Sequence, residues 1–478
     1  MKVVKIIALT LALTLLSLPL FSCKKQEPDE PPKKQTAEPI PAEKRLDYTE
    51  IPALSAQIAG YLADFSDMSE SAESNFSVVL ENGFCMISAY LGTNTEVRVP
   101  KVINGQTVTG LKKSAFENNA TLKKLYLPDT IVTIEKGSLD GCVALEKLHT
   151  PLVGENGTDG QFLGHLFGAS TYRDNARDVP PSLAYLEIGG EITRIADFAL
   201  FDCNDLVCVR LPESVIAVGA YSFYNCERMI AVNTENLLQV GEHAFDSCAE
   251  LTKLVFCDRL TSFGAGCLQG CAKLNSLTLP FVGGSMTENV YLGYLFGATT
   301  PAFAKGYYPP YLTDVTVLST CTSIGSYAFY ECESLTTLSM SENVTEVGAR
   351  AFSGCVRLLS VSFSERLARI RENAFFGCIS LETLTFGDAS ASSLTEIGIN
   401  AFYHCSALST ITLPKSLTAL PASCFAGCLS LEELDLGGVQ SVGEQAFRHC
   451  HSLVRVTAQP SVSFEEGNEY VTAVLYGE

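Results

Sequence analysis

The chain has no tryptophan, only six histidines and a shortage of basic residues: 33 Lys and Arg stand against 53 Asp and Glu, a formal charge of −20. Without Trp the chain lacks the side chain best suited to stacking on a sugar ring, which weighs against strong carbohydrate binding and leaves a glycan contact as a minor alternative. The acidic balance creates a field that repels phosphate backbones, so nucleic acid is excluded as an expected partner. Catalytic signatures are also missing. The Gly-Gly pairs that begin at Gly189, Gly283 and Gly437 have no phosphate-loop context, and no Ser, His and Asp set stands out, so neither enzyme activity nor a cofactor is expected. Cys267 with Cys271 and Cys424 with Cys428 are four apart, but zinc would need further ligands, and His404, His449 and His451 are single loop residues. No metal site is expected.

Repetition is what the chain does have. SIGSYAFYECESLTTLSM, EVGARAFSGCVRLLSVSF and RIRENAFFGCISLETLTF follow one another from Ser323 to Phe386, and Phe329, Phe352 and Phe375 recur every 23 residues, as do Cys332, Cys355 and Cys378. Such a period signifies a solenoid, because a unit this short cannot bury its own apolar face and folds only by stacking on identical neighbours. The leucine that opens each unit can be followed through fourteen units from Leu122 to Leu453. Most steps are 22 or 23 residues, and Leu381 to Leu408 is 27. Two steps of 38 mark enlarged coils near residues 151–182 and 280–311, carrying FLGHLFGAS and YLGYLFGAT. Leu163 and Leu292 are separated by the same interval as Cys203 and Cys332, so a block of several units has been copied whole.

Residues 1–22 read as an export signal, with Lys2 and Lys5 ahead of a short apolar run. Leu20-Phe21-Ser22-Cys23 resembles a bacterial lipobox, which implies a lipid on Cys23 and anchorage to the outer membrane or cell surface; a plain secretory cut near Ser22 is the alternative. Residues 23–45 form a Pro-, Lys- and Glu-rich tether with almost nothing to bury. Residues 46–107 read as an N-terminal cap: a helix over Leu46 to Asp67, then strands FSVVL, FCMISAY and VRVP with turns at Asn82-Gly83 and Asn104-Gly105. The repeats fill residues 108–459, and residues 460–478 read as a C-terminal cap.

The unit in Leu408 to Cys428, LSTITLPKSLTALPASCFAGC, resembles the cysteine-containing leucine-rich repeat of bacterial surface proteins, the BspA-like or Treponema type. VRVPKVINGQTVTGLKKSAF and the LFGA coils are similar to that family's first coil and enlarged repeats. The resemblance implies an α/β-type leucine-rich repeat solenoid with a parallel strand ladder. It further implies adhesion to host matrix proteins, host cells or other bacteria. A periplasm-facing scaffold or envelope spacer is the structural alternative.

Within L-x-x-L-x-L the leucines point inward, and the third and fifth positions of the unit point outward. The Ile or Val before Gly and the Phe of A-F-x-x-C are expected to close the core from the opposite wall. Eleven cysteines occupy that slot, and stacked equivalents at ladder spacing lie too far apart for disulfides, so buried free thiols are expected. The outward positions are Lys124, Tyr126, Lys147, His149, Tyr185, Glu187, Cys208 and Arg210 in the early coils, and Ser or Thr almost throughout from Leu274 to Leu408. Tyr and Arg commonly anchor interfaces, so the early face, with Phe162, Leu163, His165 and Phe167 of the adjoining enlarged coil, is the candidate partner-binding site; a solvated strand surface is the plainer reading.

Overall fold

The computed structural model describes residue 65, residues 68–156 and residues 161–477. The export signal, Cys23, the tether and, apart from Phe65, the expected helix of residues 46–67 lie outside the described residues. Phe65 itself sits in a bend.

Each L-x-x-L-x-L opening produces a short parallel strand. Lys124–Tyr126, Lys147–Thr150, Tyr185–Ile188 and Cys208–Arg210 pair in register, so that Leu125, Leu148, Leu186 and Val209 stack as one buried row. The series continues, with interruptions in its hydrogen-bonded order, to Arg455–Thr457. It starts one coil earlier than expected. Glu96–Arg98, assigned from sequence to the cap, pairs with Lys124–Tyr126, and its buried Val97 and Val99 fill the inward positions of the same ladder. Fifteen strands therefore form this first ladder, where the leucine register counts fourteen units.

Two further rows bind coil to coil. The Ile or Val before Gly forms a two-residue strand, as in Glu346–Val347 and Arg369–Ile370, and these strands pair in a second parallel ladder. At the A-F turn the Phe352 amide donates to the Ala374 carbonyl at 2.7 Å, and Phe329 does the same to Ala351. Inside, the phenylalanine rings stack in a column, Phe329 on Phe352 at 5.0 Å and Phe352 on Phe375 at 4.9 Å. One continuous apolar core runs from Phe76 to Val471. Each large side chain in it contributes about 1.5–3 kcal/mol of burial before entropy is subtracted.

The enlarged coils leave the first ladder intact, since Lys147–Thr150 still pairs with Tyr185–Ile188 and Ser276–Leu279 with Asp314–Val317. Their extra residues interrupt the second ladder instead. The LFGA stretches become 3-10 turns, Leu163–Phe167 and Leu292–Phe296, that stand in for the A-F turn. Leu139 donates to the Leu166 carbonyl and Leu163 to that of Ala199, and the copied block repeats both contacts through Leu268 to Leu295 and Leu292 to Ala328.

At the N-terminal end Phe76–Glu81 and Phe84–Tyr90 form an antiparallel hairpin, turned by Asn82 and Gly83 with φ of 51° and 85°. At the other end Ser463–Phe464 extends the second ladder, and the helix Glu469–Tyr476 turns Val471 into the core. Asn468 just before it accepts from the Phe447 amide at 3.2 Å and donates to the Gly443 carbonyl at 2.9 Å, satisfying groups that a further coil would otherwise meet.

The seventeen described cysteines are unpaired, and all but Cys257 are buried. In nine of the eleven A-F-x-x-C slots the thiol donates to a backbone carbonyl of the preceding coil, as from Cys355 to Phe329 and from Cys378 to Phe352, both at 3.1 Å. The Phe329 carbonyl also accepts the Cys332 amide at 3.0 Å, so the thiol satisfies its second lone pair. Cys203 and Cys332, the exceptions, are the two slots that follow the enlarged coils. Burial pushes most of the buried thiols up, Cys142 and Cys332 to about 12, which keeps those protonated and unreactive. Among the described residues, thiol titration of native protein should therefore find at most Cys257, and titration of unfolded, unreduced protein most of the seventeen. Recovery of almost none after unfolding would mean that disulfides replace this thiol row.

Candidate functional site

The outward side of the first ladder divides into two unlike halves. From Thr337–Ser339 through Ser360–Ser362 and Thr383–Thr385 to Thr410–Thr412, both outward side chains of each strand are exposed and the residue between them is buried. Alternation and β-branching explain this surface, a plain hydroxyl-rich sheet face.

The early half is covered. Tyr185, Cys208 and His149 point outward by register but are 0%, 1% and 5% exposed. Phe65, itself 2% exposed, lies over them. Its ring meets Tyr126 edge-on at 5.5 Å and His149 at 5.9 Å, and is tilted against Tyr185 at 6.3 Å. Tyr126 and His149 stack at 4.0 Å, and the Arg98 guanidinium lies over Tyr126 at 3.9 Å. The Lys124 ammonium stands 5.3 Å from the Phe65 ring centroid, and that of Lys147 stands 6.0 Å from the Tyr185 ring centroid. Arg98 Nη1 also donates to the Phe65 carbonyl at 2.9 Å.

Burial sets the electrostatics of this cluster. It pushes the Tyr185 hydroxyl up to about 12, with Glu187 adding to the effect. It also lowers His149 below its ordinary 6.5, against the opposing pull of the Leu127 carbonyl, which His149 Nδ1 meets at 2.8 Å. The imidazole is neutral at pH 7, so its Nδ1 carries the proton for that bond. Arg210 stays exposed and reaches Glu187 at 3.3 Å.

The expected site thus needs two corrections. Tyr185 and His149 are not on a free surface, because a segment of the same chain covers them. Phe162 and His165 do not adjoin Tyr126: His165 Nε2 lies 3.1 Å from the carbonyl of Ile134 in the second ladder, on the opposite wall, and Leu163 and Phe167 are core residues. Phe65, Arg98 and Met68, which packs against the Phe65, Tyr185 and Cys208 cluster, were missed. Arg98 sits in a strand read as cap, and Phe65 in a stretch read as helix. The visible signal was the company of Tyr126, His149, Tyr185 and Cys208, since apolar or aromatic residues at outward positions need a cover.

Two other surfaces stand out. Tyr172, Phe198, Tyr221 and His243 stack ring on ring at 4.3, 5.3 and 4.9 Å along the A-F side, so they offer solvent mainly their edges. A groove of about 920 Å³ beside the first enlarged coil is lined by Asp129, Val132, Pro151, Glu191 and Arg194 among others. Among the described residues no group of His, Cys, Asp and Glu is arranged to hold a metal ion.

A family model described as BspA type leucine rich repeat region, in six copies, matches residues 78–159, 178–292, 304–392 and 389–470. Among solved structures the chain is similar to a leucine-rich repeat protein from Bacteroides ovatus, at 18% identity over 84% of this chain and 99% of that one, with a TM-score of 0.32. It is also similar to a leucine rich cell surface protein from Faecalibacterium prausnitzii, at 18% identity over 86% and 99%, with a TM-score of 0.26. A leucine rich repeat protein of T. pallidum matches at 16% identity over 71% and 91%, with a TM-score of 0.18. No curated protein matches the chain.

Proposed function

Because this chain belongs to the BspA type leucine-rich repeat family, we propose that it is a cell-surface lipoprotein, anchored through Cys23, whose repeat array binds proteins in adhesion to host matrix, host cells or other bacteria. The observation that carries this reading is the exposed ladder face from Thr337–Ser339 to Thr410–Thr412, a regular surface of paired hydroxyls. A surface of this kind suits many weak contacts to an extended partner, and repeat arrays use theirs in that way. The lipobox-like Leu20-Phe21-Ser22-Cys23 and the unburiable tether of residues 23–45 supply the anchor and the reach of a displayed protein. Among the described residues no helix is long and apolar enough to cross a membrane.

Protease shaving of intact cells, with a periplasmic protein as leakage control, tests the reading. Loss of the array while the control survives is the expected result and leads on to partner capture. Protection until the outer envelope is breached would overturn surface display in favour of the periplasm-facing scaffold.

A further inference from the structure

The early half of the first ladder is already covered by a side chain from outside the repeats, Phe65. We propose that the strip formed by Tyr126, His149, Tyr185 and Cys208 is a receptor site for a segment of another protein in which an aromatic side chain lies between carboxylates, and that Phe65 is its resident, displaceable occupant. This names a partner chemistry for the array and rests on the reading that the array binds proteins.

The floor of the site is out of keeping with its place in the fold. In later coils the same register positions carry exposed Ser and Thr, whereas here they carry two tyrosines, a histidine and a cysteine, three of them buried. Such a floor would be an exposed apolar patch without a cover. Its contacts with the cover are specific: ring edges from Phe65 onto Tyr126 and His149, and Arg98 at once stacked on Tyr126 and bonded to the Phe65 carbonyl.

The cover is not part of the repeat. Residues 68–72 form neither strand nor helix. Among the described residues, a main-chain bond ties this stretch to the array from the Ser71 amide to the Arg98 carbonyl at 2.9 Å. It can leave without breaking either ladder, and an incoming segment that supplies an aromatic ring replaces what is lost.

Charge gives the occupant's chemistry. Arg98, Lys124 and Lys147 stand over the rings of this site on a chain of net charge −20, while Arg210 is paired with Glu187 at 3.3 Å and Asp129 lies 3.8 Å from His149, so three of the cations outnumber the one remaining carboxylate. In the sequence Phe65 is flanked by Asp64, Asp67 and Glu70. A tethered occupant competes at an effective concentration of about millimolar, so an external segment binds weakly until the resident one is removed or outcompeted.

The test uses the full chain and a fluorescein-labelled peptide of residues 61–71, YLADFSDMSES, read by anisotropy. Phe65→Ala should bind the peptide at least about ten-fold more tightly than the unsubstituted chain, by relief of intramolecular competition. Adding Lys124→Glu and Lys147→Glu to that variant should abolish the gain, and a peptide with alanine in place of its phenylalanine should not bind. Urea unfolding of each variant confirms a folded array before binding is scored. The proposal is overturned if folded Phe65→Ala binds no better than the unsubstituted chain, or if the alanine peptide binds equally well. It is also overturned if sedimentation shows that the unsubstituted chain dimerises through Phe65, which would make a second copy the occupant. Failure here leaves the hydroxyl face and the shaving result untouched, and failure of surface display leaves the peptide result untouched.

Discussion

Phe352→Ala is expected to lower the unfolding free energy by about 3–5 kcal/mol, the range for emptying a fully buried aromatic site. The ring is wholly buried and has a parallel neighbour on each side, Phe329 and Phe375, with interplanar angles of 8° and 11°. Alanine therefore removes the burial of one ring and both ring pairs, each worth about 0.5–1.5 kcal/mol beyond area. Collapse cannot refill the gap, because the adjoining coils are held at ladder spacing by the bond from Phe352 to Ala374 and by the thiol bond from Cys378 to the Phe352 carbonyl. Phe447→Ala is the internal comparison. Its ring has one stacked neighbour, Phe425 at 5.5 Å, so the loss should be smaller. Urea unfolding followed by circular dichroism measures both. A cost below about 1 kcal/mol for Phe352→Ala would contradict the packing described, since surface positions give values of that size. In a stack where each coil touches only its neighbours, a central defect also separates the two halves, so the transition should broaden as well as shift.

Phe352, Cys355 and Leu358 were legible in the sequence for a simple reason: each coil presents the same inward environment, so the same residue types return at the same interval. The enlarged coils were legible because they occur twice. What stayed hidden has no such echo. The coil at Glu96–Arg98 has Asn94 at the opening position where later coils carry leucine or, once, methionine, so the period misses it. The left-handed positions were also hidden. Tyr327, Glu331, Arg350 and His404 all have φ between 53° and 61°, with glycine at some equivalent points, such as Gly354 and Gly377, and not at others. Residue type does not betray such a backbone when tertiary packing imposes it. At the candidate site, alternation correctly put Tyr126, His149 and Tyr185 on the outward side, but register cannot reveal that a residue as distant in sequence as Phe65 folds back over them.

The glycine that follows most second-ladder strands leads to the other large effect. Gly348→Ala should cost about 2–3 kcal/mol, toward the upper end of what overpacking costs. The objection is not conformational, since Gly348 has no left-handed φ. An added Cβ would stand 2.5 Å from the Ser326 nitrogen, 2.6 Å from the Gly325 carbonyl carbon and 2.9 Å from the Ser326 Cα, all backbone of the preceding coil. No rotamer change relieves contacts with main chain, so the coils must part, and the bond from the Gly348 amide to the Ile324 carbonyl at 2.8 Å must stretch. Arg371 and Pro421 occupy the same slot in later coils, so parting is tolerated and the variant should fold with its stability reduced. Gly377→Ala separates the two kinds of glycine. Its φ is 72° and an added Cβ meets nothing within 4 Å, so only the left-handed backbone opposes it, at about 1–2 kcal/mol. Reduced freedom of the unfolded chain offsets that by about 0.4–1 kcal/mol. Urea midpoints should therefore rank Gly348→Ala below Gly377→Ala. The reverse order would show that contact with the preceding coil is not what opposes a side chain at Gly348.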